Sequence, residues 1–428
     1  MIGVAVGLGN VWRFPYMVGR FGGASFVLFY VLTVALLGLP ALMAEWSLGR
    51  HARRGPVGAF ERAGFPGGRA LGWLLFFVVT AATAYYTNVI GWVLFEALSE
   101  LLRGLGRPWD AEILPPDSGF DGARFGLQMA ATAVVILACA GVLLRGLRAG
   151  IEKASKVLMP LLGVTLVALI ARGLTLPGAW AGLEWYVIKF DPAALTDAGV
   201  ILAAVGQAIF SLSLGGTFMV VYGSYLGDAE ELRSSAAWTA AGDLGAGLLA
   251  GLAIFPAVFA FGLEPESGPG LVFSTLPRVF VEMPAGWLFG LLFFVGLAGA
   301  AFLSDVGAFE VLVAGLTDAT SLTRRQAVWT LAAVVFVFAL PPMVNMEVFQ
   351  PWDLTFGSGM QTLGALLAVV AFAWSLDRSA ALAQLASGRR GAAWEIRLLY
   401  LWLRYVIPVV MVVLGVWWLA TEVLGVAG

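Results

Sequence analysis

Apolar runs of about 20 residues, the length a helix needs to cross the hydrocarbon core of a bilayer, recur along the whole 428-residue chain. Inside lipid every backbone N–H and C=O must find a partner within the protein, so such runs fold as helices or close into a barrel. These runs are too long and too evenly apolar for the short alternating strands of a barrel. With 60% hydrophobic and 12% charged residues, the chain is predicted to be an all-α integral membrane protein, in contact with lipid over most of its length. A formal net charge of −2 predicts no nucleic-acid partner. The only cysteine, Cys139, and the only histidine, His51, exclude a disulfide framework and a histidine-based metal centre.

Eleven spans are read, at about residues 1–16, 22–48, 70–101, 126–144, 151–172, 197–226, 235–262, 286–316, 325–342, 355–375 and 399–424. Loops on one side of this arrangement hold sixteen Lys and Arg residues, among them Arg50, Arg53, Arg54, Arg62 and Arg69, and the opposite loops hold seven. Cytoplasmic loops retain positive charge, so the start of the chain is expected in the cytoplasm and the C-terminus outside, in the inner (plasma) membrane. No domain-sized linker divides 1–428. The stretch from Gly262 to Pro284, rich in Gly and Pro, reads as a long external loop and a candidate lid.

Two spans carry the same defect. Val4 to Asn10 reads VAVGLGN and Ser211 to Thr217 reads SLSLGGT, each with glycines where a spanning helix should continue. Glycine costs about 1 kcal/mol per helix position relative to alanine, and freed backbone groups in hydrocarbon cost more unless protein or a water-lined cavity satisfies them. The bland reading is close helix packing through small residues. Clustered Gly with Asn or Ser at both places favours a pair of broken helices around a small-molecule and ion site, where helix N-termini meet an anion and freed carbonyls a cation. The breaks lie five spans apart, which reverses their orientation. That is the arithmetic of two inverted five-helix repeats, at about 1–173 and 197–376, with an eleventh helix at about 399–424. The half-helix that should precede the first break is largely missing from the sequence, which points to a shortened N-terminus or a misplaced start.

Ionisable residues within spans are candidates for function. Arg13 follows Asn10 by one turn, and Asp353 stands at the expected mouth of span ten, where it either pairs with Arg13 or sits as a solvated helix-start carboxylate. Asp243, in AAGDLGAG, has no basic neighbour in sequence and invites a cation. Glu45, Asp305 and Glu310 are further intramembrane acids, and for Glu45 a hydrogen-bonded structural role is the simpler reading. Tyr85 and Tyr86 follow a run of small residues too deep in span three for an interfacial belt.

The segments VGLGNVWRFPY at Val6 to Tyr16, GLPALMAEWSLGR at Gly38 to Arg50, RGLRAGIEKASKVLMP at Arg145 to Pro160 and AAVGQAIFSLSLGG at Ala203 to Gly216 resemble those of the neurotransmitter:sodium symporters. The resemblance is collinear over essentially the whole chain. It implies the LeuT fold, with helices 1 and 6 unwound at mid-membrane, and sodium-coupled symport of an amino acid by alternating access. By position, it implies a first sodium site from the Ala5 carbonyl, Asn10, Ser211, Asp243 and the substrate carboxylate. A second would use Gly3, Val6, Ala300 and Ser304, but Leu303 stands where the family has another oxygen ligand, so coupling to one ion and a rebuilt second site both stay open. Family chloride ligands map to Tyr30, Gln207, Ser211 and Asp243, and the carboxylate, with Gly247 nearby, implies no chloride requirement.

Substrate contacts implied by the resemblance are Val4, Ala5, Leu8, Gly9, Ala82, Tyr86, Phe210, Ser211, Ser213, Gly216 and Ser304. Gly7 replaces the Asp of monoamine carriers, which favours an amino acid, and Gly216 and Ala82 leave room for a bulky neutral aliphatic or aromatic side chain. Arg13 with Asp353, and Phe210 with Tyr86, match the family's outer gate; Tyr225 and Asp318 match its inner gate. Two readings from other classes compete with this one. An intramembrane enzyme lacks a nucleophile or metal motif here, whereas a transport-inactive amino-acid sensor on the same fold is the alternative that Leu303 and the short N-terminus keep open.

Overall fold

Several helices begin where the sequence supplies an acceptor for their first free N–H groups. Asp121 accepts from Ala123 and Arg124, Asp197 from Gly199 and Val200, and Asn345 from Val348. Thr323 and Gln326 form a reciprocal capping box. A computed structural model describes residues 7–145, 148–265, 268–386, 393–418 and 420, and within them there are helices and turns but no strand. The principal elements are α1, formed by Gly9–Arg13 running into Phe14–Arg20, and α2 (Ala24–Ala52), α3 (Gly68–Gly104), α4 (Gly122–Leu144) and α5 (Arg148–Leu174). They continue as α6 (Ala198–Ser211), α7 (Phe218–Ser224), α8 (Leu232–Ala260), α9 (Gly286–Ala319), α10 (Arg324–Ala339), α11 (Met346–Ser375) and α12 (Ala393–Trp417).

Seven of these, α2, α3, α4, α8, α9, α11 and α12, are long and apolar enough to cross a membrane. The eleven-span reading adds α1, α5, the α6/α7 pair and α10. The latter part of α5 with Ala179–Thr196 forms a bent pair that would count as an eighth long span. The last positions of the expected eleventh span, 421–424, lie outside the described residues.

Two glycines let α2 and α7 touch backbone to backbone. A Cβ on Gly49 would fall on the Val220 carbonyl, and one on Gly223 on the Trp46 carbonyl. Small-residue packing of this kind is the usual device for close helix approach in lipid, and here it fixes α7 against α2 just beyond the break that follows α6. Helices α3 and α9 lie along each other through the core and carry one wall of the site on their facing sides.

Two expectations are corrected. Span ten starts at Met346 instead of 355, because Asn345 caps the helix and Met346 and Phe349 are buried. Asp353 is therefore inside the helix and 2% exposed, and the solvated helix-start alternative does not apply. The stretch from Gly262 to Pro284 is no open loop where it is described: Leu271–Thr275 and Leu276–Glu282 are helical. Leu271, Val272, Phe273, Leu276, Val279 and Phe280 are buried, since apolar residues recur there at helical spacing. Trp12 donates to the Pro269 carbonyl at 3.0 Å, which ties this segment onto α1.

Candidate functional site

Between α6 and α7 the backbone leaves helical geometry over residues 212–217. Ser213 (φ 54°), Gly215 (φ 142°) and Gly216 (φ 75°) all take positive φ, which glycine adopts without the steric cost an L side chain incurs. The freed N–H groups of Gly215 and Gly216 both donate to Glu45 Oε1 at 2.9 Å, so the structural role expected of Glu45 is to close the backbone account of the break. The other expected break, before α1, is described only from Gly7 onward. Gly3, Val4, Ala5 and Val6 lie outside the described residues.

Asn10, on the first turn of α1, meets the break and α8 together. Its Nδ2 donates to Ser211 Oγ (3.0 Å), the Asp243 carbonyl (2.8 Å) and Asp243 Oδ1 (2.7 Å), while its Oδ1 accepts from Gly7 N (2.9 Å). Ser211 Oγ donates to Asp243 Oδ1 at 2.8 Å, and Tyr30 Oη lies 3.4 Å from both Ser211 Oγ and Asp243 Oδ2. All four side chains are buried. Three oxygens thus converge on one nitrogen, and the carboxylate has only neutral hydrogen-bond partners. Gln207 turns elsewhere, donating to the Gly9 carbonyl and accepting from Arg13.

Beside this network lies a cavity with about 70 Å³ open to the centre of a water-sized sphere. Of the expected substrate contacts, Gly9, Ala82, Tyr86, Phe210, Ser211, Ser213 and Ser304 line it. Leu8 does not; it is buried, with its N–H donating to Tyr86 Oη at 3.2 Å. Gly216 does not either. Its Cβ direction meets Leu75, Phe60 and the Gly364 carbonyl, so at this positive φ the position faces packed protein and the expected gain of room there is withdrawn. The wall also includes Gly7, Thr83, Phe218, Ala308 and Gln361. Ala308 and Thr83 carried a signal, being one turn from Ser304 and next to Ala82 on helices already implicated. Gln361 carried one too, as an amide within an apolar span.

Over the cavity, Arg13 stacks on Phe210 with Cζ 4.5 Å from the ring centroid and pairs with Asp353 Oδ1 at 3.1 Å. Arg13 also donates to Gln207 Oε1 and Ser358 Oγ, and Tyr16 Oη donates to Asp353. Both charged groups sit where helix turns widen, Arg13 at the end of Gly9–Arg13 and Asp353 at the start of Asp353–Gly359; single wide turns of this sort are frequent at functional sites. At the other end of the bundle Asp318 accepts from Gly55 N at 2.9 Å, and Tyr225 is half exposed after α7. On α9, Ala300 and Leu303 are buried, and Asp305 faces Thr87 and Cys139 on neighbouring helices.

The sequence and its fold have relatives. The model of the sodium:neurotransmitter symporter family matches residues 1–113 and 109–417. The uncharacterized sodium-dependent transporter YhdH of Bacillus subtilis (strain 168) is 32% identical over 427 residues, covering 96% of this chain and 93% of that protein. A sodium- and chloride-dependent creatine transporter of Oryctolagus cuniculus is 28% identical, covering 87% of this chain and 68% of its own. Among solved structures, MhsT in complex with L-phenylalanine superposes with a TM-score of 0.86 at 34% identity, over 97% of this chain and 96% of that one. The fold is thus the LeuT fold expected from the sequence motifs, and the chain, a multi-pass membrane protein, belongs to the sodium:neurotransmitter symporter family.

Proposed function

We propose that this protein is a sodium-coupled symporter of a neutral amino acid, working by alternating access in the plasma membrane with its N-terminus in the cytoplasm and its C-terminus outside. The observation that carries the reading is the meeting of Asn10, Ser211 and Asp243 at the edge of a cavity opened by the α6/α7 break. Asp243 is a buried carboxylate with neutral hydrogen-bond partners, and a cation at that point offsets the cost of burying it. In the sodium-loaded state the Asn10 amide turns over, and its Oδ1 joins Ser211, Asp243, the Ala5 carbonyl and the substrate carboxylate around the ion. The shared carboxylate couples the two cargoes. Leu303 offers no oxygen beside Ala300 and Ser304, so the first ion carries the coupling, and any second ion rests on those two residues with Gly3 and Val6.

The substrate brings its own carboxylate because the protein has no room to supply one. A Cβ on Gly7 would stand 2.7 Å from Tyr86 Oη and 2.8 Å from Ser304 Oγ. That MhsT is solved with L-phenylalanine supports a bulky neutral side chain for this relative as well. Asp243 and Gly247 leave no anion site beside Tyr30, so transport needs no chloride. The test is uptake of labelled neutral amino acids into proteoliposomes. An inward sodium gradient should drive accumulation, potassium should not replace it, and gluconate should replace chloride without loss. Sodium-stimulated binding with no accumulation would identify a sensor instead, and binding indifferent to sodium would refute the reading.

A further inference from the structure

Thr83 and Gln361 are polar residues of the cavity wall that stand outside the network around Asn10. Thr83 is 3% exposed, and its Oγ1 is buried without a hydrogen-bond partner. Its neighbours on the same helix behave differently. Thr80 and Thr87 each return their hydroxyl proton to the carbonyl four residues back, Phe76 and Thr83 respectively, at 2.8 Å, the usual resting place for a threonine in a helix. Gln361 is the second group. It stands on α11 against the break, where a Cβ on Gly215 would meet its Cβ and Cγ at 3.5 Å. Its amide makes no hydrogen bond to another described residue, yet it lines the cavity and is 5% exposed. An amide has two donor and two acceptor positions and a hydroxyl has one donor and two lone pairs; the Thr83 hydroxyl is costly to leave unmet, and the Gln361 amide is open to whatever occupies the cavity.

Ala82, Phe218 and Ala308 add hydrocarbon and aromatic surface to the wall, and no charged side chain lines the cavity among the described residues. Of the other polar lining residues, Tyr86 accepts from Leu8 N and Ser211 donates to Asp243, while Ser213 stands on the break itself. We infer that Thr83 and Gln361 form a subsite for a neutral hydrogen-bonding group at the tip of the substrate side chain. The preferred cargo is then an amino acid of aromatic size carrying a hydroxyl, tyrosine before phenylalanine. This rests on the amino-acid reading above and narrows it. A charged tip is excluded for want of a partner, and a purely hydrocarbon tip leaves the amide and the hydroxyl unpaired, which is how a polar site rejects an apolar analogue.

The discriminating ligands are tyrosine, phenylalanine and 4-methylphenylalanine, the last matching tyrosine in size but not in hydrogen bonding. Their affinities are measured on purified protein with and without sodium. Tyrosine should bind at least about fivefold more tightly than 4-methylphenylalanine, the effect of roughly one net hydrogen bond. In Thr83→Val and Gln361→Met variants that ratio should fall toward one, while 4-methylphenylalanine binds as before. Equal wild-type affinities for tyrosine and 4-methylphenylalanine overturn the inference, as does a ratio that survives both substitutions. Sodium-stimulated binding without discrimination, or sodium-stimulated binding of leucine and of none of the three, leaves the transporter reading standing and removes only this subsite; no sodium-stimulated binding of any neutral amino acid removes both.

Discussion

Asp243 illustrates how much a single side chain decides in this fold. It is fully buried, it accepts from Asn10 and Ser211, and the sodium ion proposed beside it would interact through a medium of low effective dielectric, where a unit charge at contact is worth several kcal/mol. Asp243→Asn keeps the shape and most of the hydrogen bonding while removing the charge. Its sodium half-saturation should rise by at least about tenfold, on the order of 1.4 kcal/mol, with amino-acid affinity at saturating sodium nearly unchanged. A sodium titration identical to that of the parent would take Asp243 out of the ion site. The residue stood out in the sequence because an acid without a basic neighbour is rare in an apolar span. Gln361 is less conspicuous: its importance comes from facing Gly215 across the bundle, a tertiary fact that no local pattern records. Gly216 misleads for a related reason. Residue type shows that a positive φ is allowed there, but not which way the backbone then turns the position.

At the level of elements, the break after α6 was legible and its support only half so. Adjacent glycines in an apolar run announce that the helix stops. The acceptor that satisfies it, Glu45, lies 170 positions away on α2, and the sequence alone could say only that such an acid wants hydrogen bonds. The start of α11 was missed because its opening turns are less apolar than its middle, and Pro351 interrupts the pattern without stopping the helix. Glu45 provides the test of this level. Alanine there leaves the Gly215 and Gly216 N–H groups without their acceptor, at a cost of about 1–3 kcal/mol each. Glu45→Ala should therefore lower the thermal midpoint of the purified protein by several degrees and weaken substrate binding, while Glu45→Gln, which keeps an acceptor oxygen, should recover most of both. Equal stability of the alanine variant and the parent would show that the two N–H groups do not depend on Glu45.

The whole molecule is closed on the side of the Arg13–Asp353 pair. Arg13 and Asp353 are almost completely buried, held by Gln207, Ser358 and Tyr16, and the neighbouring Trp12 ties the segment at Pro269 onto the same helix. Deleting one member of a buried pair leaves the other unmatched, commonly at about 3–5 kcal/mol. That cost falls on the closed conformation alone, because an open vestibule would hydrate the survivor. By population arithmetic, 3 kcal/mol shifts a two-state equilibrium more than a hundredfold, enough to move this protein, oriented as proposed above, toward a form open to the outside. The single native cysteine, Cys139, is buried away from the cavity, so a cysteine placed at Ala82 in the cavity wall can report alone, with Cys139→Ser as a control. In right-side-out vesicles a membrane-impermeant thiol reagent should modify Ala82→Cys at least about tenfold faster when Asp353→Asn is added, and substrate with sodium should slow it again. If the two rates agree, or if only inside-out vesicles show the increase, then either Arg13 and Asp353 do not hold the outer side shut or the chain sits in the membrane the other way round. Labelling a cysteine in the loop between α2 and α3 from each side separates those two outcomes.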